Sequence, residues 1–174
     1  MKAFIRHAAI EDAESLARVQ VDSYRSAYAG MLPDDYLAQF SYDEQERDWR
    51  ELLASGEIDV LLVAENEAGQ VAGYALGERL EGPPYDCELV ALYVRQADQG
   101  QGIGRSLIAA VAGEFRQQGC RSLVLWVLEA NHYARSLYER LGGQLVDRRW
   151  LELDETTVLD EVAYAWLDIK QLMD

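Results

Sequence analysis

Hydrophobic positions along this chain recur with two periods, and the switches between them predict the order of its elements. Phe4 to His7 reads as a short strand. Over residues 11–28, Ala13, Leu16, Ala17, Gln20, Tyr24 and Ala27 recur at helical spacing with one polar member, which predicts an amphipathic helix. Gly30 and Pro33 mark a turn. Ser41-Tyr42-Asp43-Glu44 has the spacing of a capping box, ahead of a charged helix that holds Trp49, Leu52 and Leu53. Its acidic stretch, residues 43–51, reads as a solvated face. Strand patterns over 58–65 and 71–80, joined by turn residues 66–70, predict a hairpin.

After Gly82-Pro83-Pro84, residues 88–94 are apolar on both faces once Glu88 is passed, as a strand at the centre of a sheet must be. Ile103, Leu107, Val111 and Phe115 mark a helix ending near Gly119. Residues 122–128 form another buried strand, and 131–141 a helix closed by Gly142-Gly143. Near the end Val162, Tyr164 and Trp166 alternate with Ala163, Ala165 and Leu167. The order is strand, helices, three strands, helix, strand, helix, two strands. It predicts an α/β fold with a mixed sheet covered on both faces. No repeat or low-complexity linker interrupts the pattern, so one domain is expected over 1–174.

Composition narrows the partners. The chain is 49% hydrophobic and 27% charged, which is globular, but 16 basic against 31 acidic residues give a net charge of −15. Nucleic acid and anionic membrane carry the same sign, so neither is an expected partner. The longest apolar runs, such as 123–128, are six residues, far short of the roughly 18 that span a bilayer. The first residues lack the apolar core of a signal peptide. Cys87 and Cys120 show no CxxC spacing and are expected as buried thiols in a reducing cytoplasm. With only His7 and His132 beside them, no metal is expected.

The segment Gln99-Gly100-Gln101-Gly102-Ile103-Gly104-Arg105 lies between a buried strand and an amphipathic helix. Glycines let backbone approach a ligand, and the free N–H groups of a helix's first turn favour phosphate oxygens. Arg105 adds a charge-assisted donor. Three readings compete. A Walker loop lacks its Lys and its Ser/Thr, and a dinucleotide fingerprint fails at Leu107, where its third glycine would fall. What remains is Q-x-x-G-x-G on Gln99, Gly102 and Gly104.

With that loop the chain resembles the GNAT superfamily of acetyl-CoA-dependent N-acetyltransferases, whose hallmark is a buried strand, then [QR]-x-x-G-x-[GA], then a helix. A second family element sets Asn, Ala and Tyr at offsets matched by Asn131, Ala134 and Tyr138, continuing into Glu139-Arg140-Leu141-Gly142-Gly143. Gly143 stands where an aromatic is customary. The opening Ile5-Arg6 with Ala8 and Asp12, and residues 28–33, also resemble the first strand and helix region of bacterial members.

The resemblance implies a central, mostly antiparallel sheet of about six to seven strands whose splayed pair holds coenzyme A. It implies that Leu92, Tyr93 and Val94 offer backbone groups to the pantetheine arm, and that Gln99, Gly100, Gln101, Gly102, Ile103, Gly104 and Arg105 hold the pyrophosphate. Asn131 and Ala134 contact the cofactor arm. A backbone N–H near Leu92 or Tyr93 meets the oxyanion, and Tyr138 protonates the leaving thiolate. The amine must lose a proton before it attacks, and the base is Glu88, Glu129 or a water. The implied reaction is acetyl transfer from acetyl-CoA to a primary amine by direct attack in a ternary complex. The competing function is a sensor or scaffold that binds acyl-CoA without catalysis, and a nucleotide-binding module stands behind it. His132 reads as a surface residue, and Tyr24, Tyr28, Trp49, Tyr74 and Trp126 read as core or as acceptor-pocket walls.

Charge then divides along the chain. Residues 1–87 carry −11 and residues 144–174 carry −5, while 88–143, with both motifs, carry +1. The acidity lies outside the segment that receives a polyphosphate, so the expected acceptor is a small cationic amine or a peptide amine. A homodimer through the C-terminal strands is a further expectation.

Overall fold

The computed structural model describes residues 3–155 and 157–173; Met1, Lys2, Thr156 and Asp174, which the leader and one-domain readings include, lie outside them. The strands are β1 (Phe4–His7), β2 (Val60–Glu65), β3 (Val71–Arg79), β4 (Cys87–Val94), β5 (Leu123–Leu128), β6 (Gln144–Glu152) and β7 (Val158–Trp166). The helices are α1 (Ala13–Ala27), α2 (Asp34–Ala38), α3 (Tyr42–Ser55), α4 (Ile103–Gln117) and α5 (His132–Arg140). The seven strands make one sheet in the order β1-β2-β3-β4-β5-β7-β6. Every neighbouring pair is antiparallel except β4 with β5.

The expected mixed α/β architecture is therefore present, and β4 holds the centre that its two-faced apolarity predicts. Side-chain alternation sorts the strands between two layers. In β2, Val60, Leu62 and Ala64 face the core under α4, while Leu61 and Val63 face the core under α1 and α3. Val162, Tyr164 and Trp166 of β7 join the α4 side, as their spacing predicts. Gln20, the polar member of the α1 stripe, is explained by a partner: the Trp49 indole donates to its Oε1 at 2.7 Å. Ser41 caps α3 by accepting the Glu44 backbone N–H at 3.3 Å. The short α2 falls where the sequence shows only a turn after Pro33. Among the described residues no helix is long and apolar enough to cross a membrane.

One irregularity positions the site. Leu76 pairs with Ala91 but Gly77 pairs with Leu89, so Val90 is an extra residue bulged out of β4. The bulge reverses the strand's alternation. Cys87 and Leu89 before it, and Leu92 and Val94 after it, all face the α4 core, while Ala91 and Tyr93 face α1.

Candidate active site

The parallel ladder between β4 and β5 consists of Cys87↔Leu123 and Glu88↔Val124, after which the strands part. From Leu89 onward β4 has no ladder partner on its β5 side, leaving backbone N–H and C=O groups available to an extended ligand. A cavity of about 380 Å³ fills the gap. It is walled by residues 89–94 of β4, 125–127 of β5, the glycine loop, the start of α5 and the end of α1.

The loop is folded back onto β4 by Gln99, whose Nε2 donates to the Val94 carbonyl at 3.0 Å. Gly100 and Gly102 take φ of +74° and +83°, left-handed conformations that side chains disfavour. Gly102 is the N-cap of α4, no side chain caps that helix, and its first turn holds no acid. The amides of the first turn of α4 therefore present the positive helix end beside the cavity. A Cβ on Gly104 would sit 3.5 Å from Leu137, 3.9 Å from Leu92 and 4.0 Å from Val94, at the floor of the gap. Its absence keeps room there. This cradle fits the pyrophosphate and pantetheine arm of coenzyme A. Of the residues expected to hold it, Leu92, Tyr93, Val94, Gln99, Gly100, Gly102, Ile103, Gly104, Arg105, Asn131, Ala134 and Tyr138 all line the cavity. Gln101 does not; it faces a separate depression beside Ala3 and Asn66.

Asn131 opens α5, its Oδ1 accepting the Ala134 N–H at 3.1 Å, so the side-chain NH₂ is the end left for a ligand. Tyr138 is buried, with ring centroids 6.0 Å from Tyr164 and 6.4 Å from Trp166. Burial pushes its phenol well above the usual tyrosine value, so it stays a protonated donor. Gly143 is needed here for close approach. A Cβ on it would lie 2.8 Å from the Trp166 ring and 2.9 Å from the Tyr138 carbonyl. The Trp166 indole, donating to the Leu141 carbonyl at 2.8 Å, fills that space against the end of α5.

On the α1 side of the sheet the surroundings turn aromatic and acidic. Tyr28 and Trp126 line the cavity, whereas Trp49 and Tyr74 are core residues and Tyr24 packs against Tyr28, Phe40 and Tyr93. Arg149 stacks 4.0 Å over the Trp126 ring and its Nε donates to Glu161 at 2.7 Å. Glu88 is half-buried and stands one residue before the first cavity-lining residue of β4, directly opposite Glu78. Burial pushes its carboxyl up; Arg149 opposes this, and Glu78 and Glu161 reinforce it. Glu129 is ion-paired with Arg148, and His132 is exposed. Sequence reasoning missed Ser23, Glu161, Arg149 and the Val90 bulge. Ser23 carried a readable signal, a second polar residue on the buried stripe of α1.

A parallel strand pair that parts above a glycine loop at a helix N-terminus leaves backbone groups and helix amides open to an extended, phosphate-bearing ligand. Residues 21–143 match the model of the acetyltransferase (GNAT) family. The N-acetyltransferase YuaI of Bacillus subtilis is 35% identical, with 97% of this chain and 95% of that protein covered. An L-methionine sulfoximine/L-methionine sulfone acetyltransferase of Pseudomonas aeruginosa is 32% identical, covering 53% of this chain and 60% of its own. The structure of YncA, an acetyltransferase from Salmonella typhimurium with its cofactor acetyl-CoA, superposes with a TM-score of 0.70 at 22% identity, covering 97% of this chain and 95% of that one. The chain belongs to the GNAT acetyltransferase family, a family of acyltransferase enzymes.

Proposed function

We propose that one domain over residues 1–174 transfers the acetyl group of acetyl-CoA to a primary amine by direct attack in a ternary complex. The observation that carries this reading is the parting of β4 from β5 after Glu88↔Val124, directly beside the uncapped N-terminus of α4. Acetyl-CoA supplies a thioester carbonyl polarised enough for an amine to attack. Gly100, Gly102, Ile103, Gly104 and Arg105 bind its phosphates, with Gln99 holding the loop to β4. Backbone groups of Leu92, Tyr93 and Val94 hold the arm, and the Asn131 NH₂ orients it. An N–H of the bulged segment of β4 meets the developing negative charge. Tyr138 donates its O–H hydrogen bond to the departing sulfur. Burial keeps the phenol protonated until the C–S bond breaks; its proton then passes to the thiolate to give CoA-SH, and solvent returns a proton to the phenolate. Glu88, directly or through a water, takes the amine's proton; its upward shift, caused chiefly by burial, makes it a stronger base than an exposed carboxylate.

The acceptor enters on the α1 side and is cationic. Glu78 and Glu88 face each other across β3 and β4, a destabilising like-charge pair, and Glu161 adds a third carboxylate that Arg149 only partly offsets. Such a field attracts ammonium groups. The relative that acts on methionine sulfoximine and sulfone supports a small acceptor. The same acidity argues against nucleic acid and anionic membrane as partners. Buried free thiols at Cys87 and Cys120 accord with a cytoplasmic setting. We assign β6, an edge strand exposed along its whole length and carrying Trp150 at 73% exposure, to a homodimer contact.

Release of free CoA from acetyl-CoA, followed with spermidine, L-methionine sulfone and L-glutamate as acceptors, tests the reading. Release with spermidine or the sulfone is expected, with kcat/KM for spermidine falling as NaCl rises. Tight acetyl-CoA binding with no release would favour the sensor, and release confined to the net-neutral sulfone or to glutamate would remove the cationic acceptor.

A further inference from the structure

Ser23 lies on α1 one turn before Ala27 and Tyr28, and its residue is only 3% exposed. Its Oγ has no hydrogen-bond partner, the one buried side-chain N or O atom of which this is true among the described residues. A helical serine ordinarily returns its hydroxyl to a carbonyl one turn earlier. Ser23 does not. Its carbonyl is engaged by the Ser26 hydroxyl at 3.3 Å, but its own hydroxyl is left over. A polar atom taken from water without a partner lowers stability, so its retention calls for a reason.

The reason lies in where the side chain stands. Ser23 lines the same cavity as Leu92, Asn131 and Tyr138. The cofactor cradle is built by the glycine loop, α4 and α5, whereas α1 packs on the other face of the sheet. Ser23 thus belongs to the wall that meets the acceptor. Of the other α1-end residues on that wall, Ala27 is apolar and the Tyr28 hydroxyl is already bonded to that of Tyr93 at 3.2 Å. Among the α1 side chains on this wall, the buried polar atom without a partner is the serine oxygen.

We propose that Ser23 is an acceptor-binding residue, whose Oγ accepts an N–H of the reacting amine and turns the nitrogen lone pair toward the thioester. The assignment rests on the acetyl-transfer reading above.

The experiment compares wild type, Ser23→Ala and the control Ser26→Ala, using whichever of spermidine and L-methionine sulfone the wild type turns over faster. Ser23→Ala should lower kcat/KM for the amine about tenfold, chiefly through KM, because one substrate hydrogen bond is lost. Its acetyl-CoA Kd should stay within about twofold of wild type, and its Tm should equal or exceed that of wild type because an unpaired buried hydroxyl is gone. Ser26→Ala should leave both kinetic constants in place. An amine kcat/KM in Ser23→Ala within about twofold of wild type would overturn the inference. So would a lowered Tm with amine and acetyl-CoA affinities weakened together, the mark of a structural serine. Absence of CoA release by the wild type would overturn the acetyl-transfer reading itself and the inference with it, and is seen before any variant is compared.

Discussion

Tyr28 at the end of α1 and Tyr93 near the end of β4 join hydroxyl to hydroxyl at 3.2 Å, closing the α1 side of the cleft. Burial raises both phenols, Tyr28 to about 12, so neither ionises at neutral pH and the contact is a neutral hydrogen bond. Replacing Tyr93 by Phe should cost about 1 kcal/mol, the ordinary net worth of such a bond. In a chain of this size that lowers Tm by about 2–4 °C, readable in a thermal melt. The double variant Tyr28→Phe/Tyr93→Phe should be no less stable than Tyr93→Phe alone, because it leaves no orphaned hydroxyl.

Gly102 and Gly69 make a matched pair for the cofactor loop. Both have positive φ, +83° and +72°, and a Cβ on either would meet nothing within 4 Å. An Ala at each therefore costs a similar backbone strain, about 1–2 kcal/mol. Gly69 lies in the β2–β3 turn, away from the cavity, and Gly102 caps α4 beneath the proposed pyrophosphate. Calorimetry should show acetyl-CoA binding weakened about tenfold or more in Gly102→Ala and unchanged in Gly69→Ala.

Tyr138→Phe keeps the ring packed against Tyr164 and Trp166 and removes only the donor. Turnover should fall by about 10²–10⁴, the range for a lost general acid, while acetyl-CoA Kd changes little. Steady-state rates with calorimetry separate the two. Undiminished turnover across the pH range would strip Tyr138 of its donor role.

Glu88 makes a prediction with a definite sign. Its carboxyl is raised in the folded protein, so the fold binds that proton more tightly than the unfolded chain does. Its contribution to stability is fully present below the unfolded value and is lost as pH rises through the folded one. Glu88→Gln should consequently be more stable than wild type at neutral pH, with the difference vanishing in acid, as chemical denaturation at several pH values would reveal. If Glu88 is the base, the same variant loses turnover and flattens the acidic limb of kcat/KM.

Much of this was legible in the linear chain because local patterns report local physics. The 3.6-residue stripe of α1, the two-faced apolarity of β4, the Ser41 cap and the glycines before α4 each reflect constraints met within a few residues. The order of elements and the two spaced motifs therefore carried the family and the cofactor wall. Gln101 shows the limit of that reading: it sits inside the motif yet turns to another face, because the turn at Gly100 and Gly102 decides which loop side chains point inward.

Other features depend on contacts between distant segments, which no local pattern encodes. The bulge at Val90 arises only when β3 and β4 are laid side by side, and it alone puts Leu92 and Val94 back on the α4 side. The acidic surroundings of Glu88 come from Glu78 on β3 and Glu161 on β7, brought near by the register of separate strands. Ser23 shows in the sequence only as a polar residue on the α1 stripe; that its hydroxyl stands buried and unpartnered beside the cleft follows from how α1 packs. The sequence by itself determined the order of the strands and of every helix but α2, through propensity and periodicity, and its two spaced motifs carried the family. Tertiary structure decided which side chains line the α1 side of the cleft, because burial, register and the parting of two strands are properties of segments that meet only in the folded chain.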